Sequence, residues 1–356
     1  MLSAAIEGMF LNSELFDHQR GASNKGYKKI DMGTLVLSTQ NLHLGNANVN
    51  LRFEHGMVSP AYKTYHIHDC SVKLIAEWVK SEKAKRFFYD ATTVGASVCR
   101  RNVEWDTLYD QPLYLPSLVE QEYLATFLSA LSSRIKKQTE LVEHLKKYKR
   151  GLLNRYFRSN VGDCKYIPLS ELILEIMDGD WIESKDQSSF GIRLIQTGNV
   201  GVGEYIDKPD SAKYISASTF EHLHCTEIYP GDILISRLPS PAGRACIVPI
   251  TNERMITAVD CTIVRCDDTR CIREYLIQFL NSPQYFKEVE SFLAGGTRQR
   301  ISRKNLESIL VPIVQLPEQK YIANILSTFD KKIHNEAEQL QELIRYKRGL
   351  LQALFV

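Results

Sequence analysis

Residues 120–157 read EQEYLATFLSALSSRIKKQTELVEHLKKYKRGLLNRYF, and residues 318–355 read EQKYIANILSTFDKKIHNEAEQLQELIRYKRGLLQALF. They align without a gap at an offset of 198, with 16 of 38 positions identical, so one sequence is written twice. Each copy carries an apolar stripe at alternating spacings of three and four. In the first it is Leu128, Leu131, Ile135, Val142, Leu145 and Leu152; in the second it is Leu326, Phe329, Ile333, Leu340, Leu343 and Leu350. Both copies break the stripe at matching places, Gln138 and Lys149 against Glu336 and Lys347. Such spacing predicts a long helix packed on another helix.

The offset extends upstream. Ile30, Gly33, Leu35–Leu37, Ser38 and Gly45 lie over Ile228, Gly231, Ile233–Ile235, Ser236 and Gly243, and Met57 lies over Met255. Arg100 and Leu108 lie over Arg298 and Leu306. The chain therefore reads as two copies of one unit, each a variable globular part followed by a near-constant helix. Met1 aligns with Asn199, so the first copy is expected to lack a counterpart of roughly residues 159–198, including KYIPLSELILEIMDGDW, which reads as an opening strand and short helix; either the true start lies upstream, or the first domain is incomplete and completed by something else.

The 356 residues suffice for two cores, and 44% apolar with 24% charged residues is ordinary globular composition. No apolar run reaches the ~18–20 residues of a membrane span. Eight cysteines without a C-x-x-C pair fit free thiols in a reducing cytoplasm. A net charge of +2 neither demands nor excludes nucleic acid.

Short apolar runs between turn clusters predict an α+β chain. A first mixed domain covers 1–115 and a first spacer helix 116–158. A second mixed domain covers 159–312 and a second helix 313–356. In the second domain RLIQT, GDILIS, ACIVPI and CTIVRC read as strands, and CIREYLIQFLNSPQYFKEVESFLA as helix interrupted near Pro283. Pro116 and Pro317 mark the helix starts.

Two mixed domains, each followed by a helix opening near Leu316-Pro317-Glu318-Gln319 and closing Tyr346-Lys347-Arg348-Gly349-Leu350-Leu351, resemble the specificity subunit of type I restriction–modification systems. The second copy adds a strand with GDILIS, then GGTRQRIS, then the pattern L-x-x-I-x-V-P at residues 306–312. The resemblance spans essentially the whole chain; the first copy departs from it at its start and at Ser97–Arg101. It implies two target-recognition domains, each reading half of a split double-stranded DNA sequence, separated by two long antiparallel helices that form a coiled coil with a pseudo-two-fold. It further implies that the helices dock modification subunits, two of them, which carry S-adenosylmethionine and methylate adenine. Restriction subunits with ATP and Mg join in some complexes. No cofactor or metal is expected on this chain, which on this reading does no chemistry itself. Two other readings stand beside it: an assembly scaffold without specific DNA reading, and the recognition part of a fused methyltransferase–nuclease.

Physical reading adds detail. A 38-residue helix is about 57 Å long, or roughly 17 base pairs of duplex. Base edges and phosphates are met by Arg, Lys, Asn, Gln and hydroxyls. The second copy offers Arg237 and Arg244 around a Pro-Ser-Pro-Ala-Gly turn, then Arg298, Gln299, Arg300 and Ser302 after two glycines, with Thr197-Gly198-Asn199 weaker. In the first copy Thr39, Asn41, His43 and Asn46 occupy the first loop, and Arg100, Arg101 and Asn102 the second. Apolar residues off the stripe, among them Leu124, Phe127, Leu141, Leu153, Phe157, Ile322, Leu351 and Phe355, suit either packing on the adjacent domain or a partner-docking face. Gly151 and Gly349 suggest a close helix approach or a helix end. Glu183-Ser-Lys185 resembles a fragment of a nuclease site, but an isolated pair of this kind is common by chance.

Overall fold

The two long helices form as the stripe requires. The computed structural model describes residues 1–16, 25–97, 100–158, 164–293 and 299–355, and in it one helix runs Leu118–Phe157 and the other Leu316–Leu354. The first opens on a capping box: the Ser117 backbone N–H and hydroxyl both donate to Glu120 Oε2, at 2.9 and 2.7 Å. The second opens with Pro317 in its first turn, where a missing N–H costs nothing.

The chain divides into two compact units, and the cuts fall inside the helices. One unit is Met1–Leu141 with Glu336–Val356; the other is Val142–Asn335. Each thus holds one mixed domain, part of the helix that follows it and the end of the other helix.

In the second unit a fully antiparallel sheet has the order Ile173–Asp178, Cys261–Cys266, Ile233–Ser236, Ala245–Ile247. Ile233, Leu234 and Ile235 are all buried, as a strand covered on both faces must be. A five-stranded sheet pairs Ile192–Ile195 in parallel with Met255–Thr257, and Lys165–Pro168 pairs with Leu310–Ile313. The stretch 173–178, read as part of a short helix, is a strand, because Ile173 and Ile176 pack into the core beneath it. The expected helical run after Cys271 divides into Arg273–Phe279 and Pro283–Phe292, with Ser282 capping the second. Their rings Tyr275 and Phe279 meet Phe157 edge-on at 5.3 and 5.6 Å. Leu153, Phe157, Ile322 and Leu326 from the two long helices close this core.

The first unit repeats the plan with fewer strands. Leu35–Ser38 lies between Ala47–Val49 and Tyr62–Tyr65, and Lys28–Asp31 pairs with His55–Val58. Short helices Val72–Trp78 and Glu82–Asp90 follow, capped by Ser71 and Ser81. Their core includes Leu128 of the first long helix and Leu351 and Phe355 of the second. Register corrects one sequence equivalence. Gly56, not Met57, faces Ile30 as Met255 faces Ile228, so the offset grows to 199 between the strands Ala47–Val49 and His55–Val58.

Most off-stripe apolar residues therefore pack on a mixed domain, Leu153, Phe157 and Ile322 on the second and Leu351 and Phe355 on the first, whereas Phe127 and Leu141 stay exposed. Within the stripe Leu128, Leu131, Val142 and Leu326 are buried, while Ile135, Leu145, Leu152, Phe329, Ile333, Leu340, Leu343 and Leu350 are half-buried. No close approach within this chain accounts for the glycines: Gly151 and Gly349 lie inside helices, with nothing among the described residues within 4 Å of an added Cβ, and neither is a helix end.

Candidate nucleic-acid interface

The repeated EQ motif positions each domain on its long helix. Gln319 is buried, accepts from the Ile272 N–H at 3.0 Å and donates to the Arg270 and Val314 carbonyls at 3.1 and 2.9 Å. Gln121, its counterpart, accepts from the Ser71 N–H and donates to the Pro116 carbonyl, each at 2.8 Å. In both units one glutamine ties the start of a long helix to the first residue capping a short one. Further along, the equivalent residues Gln138 and Glu336 bond to each other, Gln138 Nε2 donating to the Glu336 carboxylate at 2.7 Å and its carbonyl at 3.0 Å.

With the scaffold fixed, the loops of the second unit converge on a polar node. Asp178, at the end of an edge strand, accepts from the Thr262 hydroxyl at 2.9 Å and pairs with Arg237 at 3.2 Å and Arg303 at 3.8 Å. Arg300 pairs with Asp260 at 3.3 Å, and Arg303 also with Glu307 at 3.2 Å. The carboxylates sit inward and the Arg300 and Arg303 side chains outward, 45% exposed, with Gln299 exposed beside them. Acids beneath arginines hold the guanidinium groups in place while leaving donors for an anion. The tip Pro239–Pro241 is exposed and lines a cavity of about 740 Å³ with Phe286, Val289 and Gln299.

Two arginines expected at this surface are not part of it. Arg244 is buried, and its guanidinium donates to the carbonyls of Val200, Leu238, Pro241 and Thr197 at 2.6–2.9 Å. Its donors are consumed in shaping the turn. Arg237 is also buried, and burial lowers its pKa against the pull of Asp178; it supports the node from below. Ser302 caps the helix Arg303–Ser308 by accepting from the Asn305 N–H at 3.1 Å. Arg298 lies outside the described residues. Arg303 escaped the sequence reading because it sits just past the motif. So did Lys208 and Lys213, which line a polar groove of about 300 Å³ beside Thr197 and Gly198, while Asn199 is buried and bonded to the Ile206 carbonyl.

In the first unit Asn41 and Asn102 are exposed, Asn46 is half-buried, and the Thr39 hydroxyl donates to the Ala61 carbonyl at 2.8 Å. Arg101 lies 4.0 Å over the Tyr89 ring and donates twice to Thr92 at 2.7 Å. His43 is half-buried; burial first, then the charge of Arg101, lowers its pKa. Arg100 begins the strand Arg100–Val103.

Glu183 and Lys185 form an exposed local ion pair at 2.8 Å. Among the described residues no three His, Cys, Asp or Glu side chains are grouped to hold a metal ion. Burial raises the Cys246 and Cys261 thiols to about 12 and about 11, so both are protonated at neutral pH. Among the described residues no helix is long and apolar enough to cross a membrane.

A family model described as the type I restriction modification DNA specificity domain matches residues 173–345. The chain is 22% identical to a putative type I restriction enzyme MjaX specificity subunit of Methanocaldococcus jannaschii, over 97% of this chain and 78% of that one. It is 21% identical to the MjaVIII specificity subunit of the same organism, over 77% and 68%. The fold is similar to the crystal structure of a type I restriction–modification S subunit from M. genitalium, with a TM-score of 0.61, 15% identity, and 94% and 87% of the two chains covered.

Proposed function

The chain belongs to the family of type I restriction–modification specificity subunits, and we propose from that premise that it reads a split DNA target, one half through each mixed domain. The observation that carries this reading is the contrast within the repeat. The anchors Gln121 and Gln319 each accept from the N–H of a short helix's cap and donate to the carbonyl five residues before them, while the outward loops differ, Arg300 and Arg303 in one and Asn41, His43 and Asn102 in the other. A duplicated frame with divergent loops suits two unlike half-sites.

Methyl transfer, on this reading, belongs to modification subunits carrying S-adenosylmethionine, docked on the long helices, and cleavage to restriction subunits using ATP and Mg; the chain itself is not catalytic. Support for helix docking comes from four exposed tyrosines at repeated positions, Tyr123 with Tyr321 and Tyr148 with Tyr346. Tyrosines presented on a rigid helix are favoured interface residues.

Mapping modified adenines in cells with and without this chain tests the proposal. A split motif of fixed spacing is expected, and exchanging residues 159–312 for those of another family member should change one half only. Change in both halves, or no motif, refutes it.

A further inference from the structure

The polar node of the second unit has a counterpart in the first, built from other residues. Lys63 stands opposite Leu37 as Thr262 stands opposite Ile235, and Leu37 and Ile235 are equivalent in the repeat. The loops beside them are tied alike. The Thr39 N–H donates to the Ala61 carbonyl at 3.3 Å, and the Arg237 N–H to the Asp260 carbonyl at 2.9 Å. The flanking helices match as well. Trp105–Asp110 and Arg303–Ser308 have six residues each, and each buries its fourth, Leu108 and Leu306. This register sets Trp105 against Arg303 and Tyr109 against Glu307.

One strand-to-helix contact thus carries two chemistries. In the second unit the helix supplies the cation, Arg303, which pairs with Glu307 at 3.2 Å and Asp178 at 3.8 Å. In the first unit the strand supplies it. Lys63 Nζ lies 3.8 Å over the Trp105 ring and donates to the Tyr109 hydroxyl at 3.2 Å, and that hydroxyl shares a 2.7 Å hydrogen bond with the hydroxyl of Tyr65. An indole face attracts an ammonium without cancelling its charge, as a carboxylate does. Among the described residues Lys63 has no carboxylate within ion-pair distance. An ammonium has three donors, so the bond to Tyr109 leaves others for an anion, and Tyr109 itself is 54% exposed beside them.

We propose that Lys63, held in place by Trp105 and Tyr109, binds a backbone phosphate of duplex DNA, at the position in the first unit that Arg303 holds in the second. The proposal takes its ligand from the DNA-reading proposal but concerns the part of binding that ignores sequence. Phosphate contacts fix the register of a protein on the duplex, and base contacts specify it. Asn41 and Asn102 on the neighbouring loops are exposed and neutral, suited to base edges. Lys63 supplies the fixed positive charge beside them, and the indole keeps it from swinging into solvent.

The affinity of the full chain for a duplex of random sequence, measured from low to physiological salt, tests this. Lys63→Gln keeps a stem over Trp105 and removes the charge, and it should flatten the slope of log affinity against log salt by about one unit. Lys63→Arg should keep the slope. Lys63→Thr should flatten it as Lys63→Gln does, and adding Trp105→Arg, which returns the cation to the helix as in the second unit, should restore it. An unchanged slope in Lys63→Gln overturns the proposal. So does an equal flattening in Lys63→Arg, which marks a packing role, and so does a full chain that does not bind the random duplex. Sequence reading is judged apart from all of these by the map of modified adenines, because a phosphate contact carries no motif.

Discussion

Lys347 donates to Glu77 at 2.6 Å, whereas Lys149, its counterpart in the other copy, pairs with Asp330, whose own counterpart is Ser132. The acid has changed elements. In the first unit Glu77 lies on a short helix and also accepts from the Ser132 hydroxyl at 2.7 Å. In the second the short helix carries Gln278 instead, which donates to Asp330 at 2.8 Å. One carboxylate, one lysine and one neutral hydrogen-bonding partner are kept in each unit, with the negative charge placed on opposite sides of the same contact.

That exchange predicts a rescue. Glu77→Gln leaves Lys347 largely buried without its acid and should cost about 2 kcal/mol. Adding Ser132→Asp recreates the arrangement of the second unit and should recover most of the loss. Denaturant midpoints of the two single variants and the double variant measure the coupling; additive costs would contradict the equivalence.

Gln319→Ala should be more damaging than its small size suggests. It leaves the half-buried Ile272 N–H and two carbonyls without their Gln319 partner, at about 1–3 kcal/mol for an unmet group held away from water. Gln319→Glu should also destabilise, since a carboxylate cannot donate to the Arg270 and Val314 carbonyls. Thermal unfolding of both variants checks this.

The long helices, their repeat and the mixed domains were legible in sequence because heptad spacing and alternating apolar runs are local patterns. What sequence left unresolved depends on distant partners. Arg244 beside glycine looks like a phosphate contact until four carbonyls are found around it, one of them 47 residues away at Thr197. The acid exchange is spread over residues 77, 132, 278 and 330, where no local pattern reports it. The repeated Gln121 and Gln319 were visible as a motif, but their bonds form only once the short helices dock.

Gly151 and Gly349 are expected to act on partners and not on the fold. Nothing crowds an added Cβ at either position, so Gly151→Ala and Gly349→Ala should each stabilise the isolated chain by roughly 0.5–1 kcal/mol through helix propensity. If the glycines admit a close-lying helix of a modification subunit, the same variants should weaken that association. Unfolding midpoints and co-purification with the partner separate the two effects, and stabilisation with association intact would leave common descent as the only reason for the repeated glycine.

Arg244 and the outer pair Arg300 and Arg303 should fail in different ways. Arg244→Ala removes a buried guanidinium from four carbonyls, so thermal stability should fall by several degrees and DNA binding should disappear with the loop. Arg300→Ala with Arg303→Ala removes exposed groups from half-buried acids and should leave the unfolding midpoint nearly unchanged. If each meets a phosphate, the logarithm of affinity should fall less steeply with the logarithm of salt concentration, by about one unit of slope for each arginine removed. Measuring affinity from low to physiological salt in both backgrounds decides it: a flattened slope at full stability places the outer arginines on the duplex, and an unchanged slope removes them.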